Sequence, residues 1–282
     1  MVFYFPTLFS IDIIIYVFAI ILLMFLNWSL EAFKWKLLIA PLEKINFSAS
    51  IKGVLAGVTI SIFTPNRVGE FAGRVFFLNQ ADKIQATILS LIGSLAQLLV
   101  TIIAGVFAFY MLEKKYYDFF QIEQFISVNT LFLIFVLLII GLSILTYVVY
   151  VKQKSSEKIK KYIYTFKLHS RKNLKVVLNL SILRYIVFSI QYYFALKLFG
   201  INGGIVIVYS LIAITFFVTS VIPTFALTEI AVRVGVAIYF FSTIYTSQAP
   251  ILAASLFLWM VNLAIPALIG SAFVYKLKFF KE

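Results

Sequence analysis

The 282-residue sequence has no cysteine and a single histidine, His169. A disulfide frame, a thiolate nucleophile and a metal centre built from Cys or His are therefore excluded for this sequence. Charge is also scarce: 12% of residues are charged, against about a quarter in soluble domains. Only eleven are acidic. Asp12, Asp82 and Asp118 form no DxD or DxxD pair to hold Mg²⁺, which argues against a metal-dependent lipid transferase and against an enzyme generally. No cofactor is expected. What fills the sequence instead is apolar, 63% of residues with a mean hydropathy of +1.04. Such a chain has too little polar surface for a water-facing shell, so it reads as an all-α, polytopic integral membrane helical bundle. The net charge of +13 does not point to nucleic acid, because the basic residues lie mostly between apolar runs, where the positive-inside rule accounts for them.

Crossing the hydrocarbon core as a helix takes about 20 residues. Runs at 11–30, 86–112, 125–151 and 250–275 meet that length, and 176–199 does so despite Arg184 and Gln191. The first run has no basic region before it and no small-residue cleavage site after it, so a removable signal peptide is not expected. Two regions are broken. From Ile51 to Leu78 the apolar run is interrupted by Thr64-Pro65-Asn66-Arg67-Val68-Gly69-Glu70, leaving arms too short to cross separately and predicting a re-entrant helical hairpin. From Ile205 to Tyr245 the break is Pro223-Thr224-Phe225-Ala226-Leu227-Thr228-Glu229, with arms each long enough to cross. Trp28 and Trp35 suit an interfacial belt, and 31–50 reads as an amphipathic segment lying on the inner leaflet.

Orientation follows from the loops. Residues 152–175 hold nine basic residues against Glu157 and are assigned to the cytoplasm, which also places 31–50, 79–85 and the C-terminal tail inside. Loops 113–124 and 200–204 then fall outside. On this reading the whole of 1–282 is one transmembrane domain of the cytoplasmic (cell inner) membrane. A unit of span, hairpin and span occupies 11–112, and the same unit recurs at 176–275 with opposite orientation, linked by the span 125–151 and the basic loop 152–175. Inverted repeats with broken helices meeting near the midplane are an architecture of transporters.

The hairpins carry the charges. Glu70 and Arg74 are four residues apart, as are Glu229 and Arg233, so each pair shares a helix face. Ionised groups inside a bilayer need a partner or a cavity, and such pairing by itself is equally what a structural tie would show. Arg67 has no carboxylate four residues before it and sits beside Asn66 at the start of a second arm, where free N–H groups and the positive helix end favour an anion such as phosphate. Thr228 offers a hydroxyl at the second break, and Arg184 on the preceding span either joins the site or snorkels to the inner surface.

Two stretches, Glu31-Ala-Phe-Lys-Trp-Lys-Leu-Leu and Thr64-Pro-Asn-Arg-Val-Gly-Glu-Phe-Ala-Gly-Arg, resemble motifs of the lysylphosphatidylglycerol synthase transmembrane-region family. The resemblance runs through nearly the whole chain and places Arg67, Gly69, Glu70 and Arg74 on one motif and Pro223 and Glu229 on a second, whose usual glycines are replaced here. It implies a flippase-like domain without the aminoacyltransferase. The implied substrate-binding residues are Asn66, Arg67, Gly69, Glu70, Arg74, Arg184, Thr228, Glu229 and Arg233, and the implied partner is a membrane phospholipid or a polyprenyl-phosphate lipid. A homo-oligomer stays open. A lipid-modifying enzyme working through Glu70, such as a glycosyltransferase or phosphatase, would need a second free carboxylate, a His or a metal nearby. A small-solute carrier would need a site closed to lipid.

Overall fold

A computed structural model describes residues 11–116, 161–162, 164–224 and 226–276 of the protein. The expected span 125–151, most of the basic loop and the tail lysines Lys278 and Lys281 lie outside the described residues. Within them the chain forms α1 (Ile11–Ile39), α2 (Phe47–Ser61), a 3₁₀ turn (Pro65–Arg67), α3 (Gly69–Val75) and α4 (Lys83–Tyr116). After the gap come α5 (Arg171–Leu198), α6 (Ile205–Val221), α7 (Ala226–Phe241), α8 (Gln248–Trp259), a π-helical turn (Met260–Ala264) and α9 (Ile265–Lys276). The described residues include no strand. Among the described residues, four segments are long and apolar enough to cross a membrane: Ile11–Ile39, Lys83–Leu112, Arg171–Leu198 and the continuous α8–π–α9 segment Gln248–Tyr275. Their outward faces carry exposed apolar side chains such as Phe18, Phe25, Ile103, Phe107 and Leu268, which only a lipid solvent would accept in such number.

Local chemistry sets the helix ends. Asn46 caps α2 by accepting the Ala49 N–H at 2.7 Å, and Ser170 caps α5 by accepting that of Asn173 at 3.3 Å. Pro65, without an N–H to donate, stands first in the 3₁₀ turn behind an extended Thr64, and there the first hairpin reverses.

The two halves are related by their packing. α1 and α5 run antiparallel: Tyr16 meets Phe194 with ring centroids 5.8 Å apart, Gln191 donates to the Ile20 carbonyl at 2.8 Å, and Arg184 donates to Asn27 at 2.9 Å. α2 packs on α9, with Thr59 donating to the Ala267 carbonyl at 2.7 Å, and α6 packs on α4, with Phe217 over Gly105. Each hairpin thus leans on the last span of the opposite half. Antiparallel α1 and α5 with this crossed pairing are the arrangement that two inverted halves would give.

The loops assigned to one side also meet on one face. The Glu43 carboxylate accepts the backbone N–H groups of Asn79, Gln80 and Ala81, at 2.8 Å from Gln80. Lys161 pairs with Asp82 at 2.6 Å, and His169 Nε2 lies 2.8 Å from the Leu38 carbonyl. Burial pushes the Glu43 carboxyl up, but its three N–H donors outweigh this and hold it below the usual carboxylate range. Lys161, donating to Asp82, does the same for that carboxyl.

Three expectations are corrected. Residues 31–39 do not lie on a leaflet; they continue α1 into the bundle, and Lys34 and Trp35 are fully buried. Trp28 and Trp35 form no interfacial belt, since both are core residues and Trp35 Nε1 donates to Ser90 at 3.0 Å. The physical reason is that Lys34 finds its counter-ion inside, on the preceding turn of the same helix. Likewise Arg171, Lys172 and Lys175 are not loop residues but form the first turns of α5.

Candidate functional site

The first hairpin closes backbone against backbone. A Cβ on Gly73 would stand 2.6 Å from the Gly57 Cα, and one on Gly57 would stand 2.6 Å from the Glu70 carbonyl oxygen. No side chain fits between α2 and α3 there, so glycine is required at both positions. The break itself is tight: Thr64 Oγ1 accepts the Gly69 N–H at 2.8 Å, and Arg67 adopts φ +58°, the left-handed region that costs a non-glycine residue about 1 kcal/mol. This changes the expected anion site. α3 is only seven residues long, and its first donors are engaged inside the hairpin, Gly69 with Thr64 and Phe71 with the Val68 carbonyl at 3.1 Å. Two of the donors expected to be free are thus engaged, and the side chains at the break carry the charge an anion would meet.

Those side chains form two clusters. The first centres on Glu31, which the sequence reading did not single out. Its carboxylate pairs with Lys34 at 2.8 Å, Arg74 at 2.9 Å and Arg184 at 2.6 Å. Arg74 also pairs with Glu70, so it is buried between two carboxylates, and Arg184 bonds Asn27 and lies 5.4 Å over the Trp28 ring. Arg184 therefore joins the site and does not snorkel. In the second cluster Arg233 grips Glu229 Oε1 with Nε and NH2, both at 2.8 Å, while Arg67 reaches the same oxygen at 3.8 Å. That last pair is the direct tie between the two hairpin breaks, and it is the loosest ion pair of the site.

Between the clusters lies a cavity of about 340 Å³. Of the sequence-derived positions, Arg67, Glu70, Arg184, Glu229 and Arg233 line it. Arg74 stands behind it, Gly69 shapes the hairpin, Asn66 belongs to the turn, and Thr228 is exposed on the first turn of α7 and is not among the lining residues. Glu31, Lys34, Asn27, Gln97 and Asn262 line it without having been anticipated. For three of these a signal existed: Asn27, Glu31 and Lys34 are spaced by four and three residues and so share one face of a helix that is otherwise apolar. Asn262 gave none. It reaches Asn27 at 3.4 Å from within the π-helical turn, a distortion that often accompanies function.

Four cations, Lys34, Arg67, Arg184 and Arg233, face three carboxylates around the cavity, with Arg74 as a fifth cation behind it. The described residues hold no His, Asp or Glu group arranged for a metal. The site is thus a polar chamber with surplus positive charge, lined by residues of both hairpin breaks and of the long helices around them.

These features define a multi-pass membrane protein with a charged internal site. The chain belongs to the family described as lysylphosphatidylglycerol synthase TM region, whose model matches residues 6–270. No curated protein or solved structure matches the chain.

Proposed function

We propose that the protein is a flippase-like transporter that moves a phosphate-headed anionic lipid between leaflets of the cytoplasmic membrane, with its C-terminus on the cytoplasmic side. The observation that carries this reading is the cavity between the two hairpin breaks, whose charged lining holds more cations than carboxylates. A phosphate seated there would compete with Glu229 for Arg67, the cation with the longest pairing distance, and arginine can meet it with two parallel hydrogen bonds. The acyl chains remain in the bilayer. Inverted halves support alternating access, because exchanging the conformations of two similar hairpins turns the cavity from one leaflet to the other.

The reading assigns no covalent step. Glu70 and Glu229 are each paired with an arginine, and the reading gives neither the role of a free general acid. The test is leaflet exchange in proteoliposomes: the protein should accelerate exchange of acyl-labelled phosphatidylglycerol well above protein-free vesicles, and phosphatidylcholine far less. Equal rates for both lipids, or none above background, would remove the reading.

A further inference from the structure

The lining of the cavity has unmet hydrogen bonds of both kinds. The donors Trp28 Nε1, Trp259 Nε1 and Arg67 Nε, and the acceptor Glu229 Oε2, are buried and have no hydrogen-bond partner among the described residues. Trp28 and Glu229 are each more than nine-tenths buried as whole residues. The Gln97 amide adds a group whose Oε1 is also unpartnered, and an amide serves as donor or acceptor according to its flip. Buried groups of this kind are costly unless a ligand meets them.

A bare phosphate supplies acceptors only, so it would satisfy the arginine and the indoles and leave Glu229 Oε2 unmet. The missing donor is either an ammonium or a hydroxyl. Charge decides between them. Each of the three lining carboxylates is already paired with at least one arginine, and with Arg74 counted five cations face them, so positive charge remains in surplus after a singly charged phosphodiester has entered and an ammonium would meet like charge. A hydroxyl brings the same donor at no charge, and its oxygen accepts from an indole N–H. Shape adds a second preference: Trp28, Tyr185, Phe188, Tyr192, Phe216 and Trp259 share the lining. Phe216 stacks with Phe188 and Tyr192, and Arg184 lies over Trp28, so these rings form a rigid apolar wall suited to the C–H groups of a saturated ring. About 340 Å³ is near the lower end of ligand-site volumes and suits a headgroup with one ring.

We infer that the headgroup carried by this cavity is a cyclic polyol phosphate, a phosphate bearing one hydroxyl-rich sugar-like ring, and that Glu229, Gln97 and Trp28 select it. This inference rests on the phosphate-lipid reading above and narrows it.

The experiment is native mass spectrometry of the purified full chain offered an equimolar mixture of four lipids with identical acyl chains. Phosphatidic acid offers phosphate alone, phosphatidylethanolamine adds an ammonium, phosphatidylglycerol adds acyclic hydroxyls and phosphatidylinositol adds a hydroxylated ring. Phosphatidylinositol should be retained about tenfold over phosphatidic acid and phosphatidylethanolamine, a difference of about 1.4 kcal/mol, and detectably over phosphatidylglycerol. Glu229→Gln and Trp28→Phe should bring its ratio to phosphatidic acid toward one while phosphatidic acid still binds. Gln97→Leu, which breaks no ion pair, should lower the same ratio if Glu229→Gln fails to fold. Equal retention of phosphatidic acid and phosphatidylinositol, or preference for phosphatidylethanolamine, overturns the polyol inference and leaves the phosphate reading standing. Equal retention of phosphatidylglycerol and phosphatidylinositol overturns the ring preference. Retention of none of the four overturns the phosphate reading together with the inference built on it.

Discussion

Glu31 holds three cations on two carboxylate oxygens, and Lys34 and Arg74 are almost fully buried with it. Removing the acid leaves those charges facing one another in a low-dielectric interior, where breaking a buried ion pair typically costs about 3 to 5 kcal/mol. We predict that Glu31→Ala lowers the melting temperature and the yield of folded protein strongly, and that Glu31→Gln does so nearly as much, since the charge is what is missed. A melt of either variant close to wild type would show that the cations are neutralised some other way. Arg67 is the contrasting residue. Its pairing distance to Glu229 is long, its side chain is 31% exposed, and its φ of +58° is unfavourable for any side chain. Arg67→Gly should therefore melt within about 1 kcal/mol of wild type, because relief of the left-handed backbone offsets the lost ion pair. A loss comparable to that of Glu31→Ala would make Arg67 a structural residue.

At the scale of elements, the first hairpin depends on the contact of Gly57 with Gly73. Placing Val at Gly73 forces α2 and α3 apart, and overpacking of this kind costs roughly 1 to 3 kcal/mol or more. We predict that Gly73→Val reduces folded yield while Ala at the exposed Phe63 of the same hairpin does not; equal yields would deny the close approach. The loop face offers a pH test. The Glu43 carboxyl is held low by backbone N–H donors in the folded protein, so its stabilising contribution is complete above the unfolded value near 4.3 and is lost as pH falls through the lower folded value. Melting temperature measured from pH 6 down to 3 should fall less steeply in Glu43→Gln than in wild type. Parallel curves would place the acid sensitivity elsewhere.

Much of this element plan was legible beforehand, because hydrocarbon thickness sets run length and Pro65 interrupts a run that apolar residues alone would continue. The limits were equally physical. Lys34-Trp35-Lys36 looks interfacial in sequence, since charge next to tryptophan is how membrane surfaces are usually marked, and only the tertiary position of Glu31 relative to Arg74 and Arg184 shows that Lys34 is neutralised inside. Local spacing revealed Glu70 with Arg74 and Glu229 with Arg233, but could not reveal that Arg67 spans to the other hairpin or that Asn27 meets Asn262, 235 residues away. The N-terminal donors of α3 were expected to be free because they open a helical arm after a break. The turn that makes the hairpin tight engages those of Gly69 and Phe71.

For the molecule as a whole, inverted packing and the charged cavity are parts of one proposal. The two hairpin breaks touch through Arg67 and Glu229, and a lipid phosphate that takes Arg67 would separate them. The most direct measurement is leaflet exchange of an acyl-labelled anionic phospholipid in proteoliposomes containing wild type, Arg67→Lys or Arg67→Ala, each beside its own thermal melt. The account predicts that Arg67→Ala melts within a few degrees of wild type yet exchanges lipid at less than about a tenth of its rate, a barrier change of about 1.4 kcal/mol or more. Arg67→Lys should keep part of the activity through its charge alone. Wild-type exchange by a folded Arg67→Ala protein would contradict the proposal that this arginine receives the headgroup.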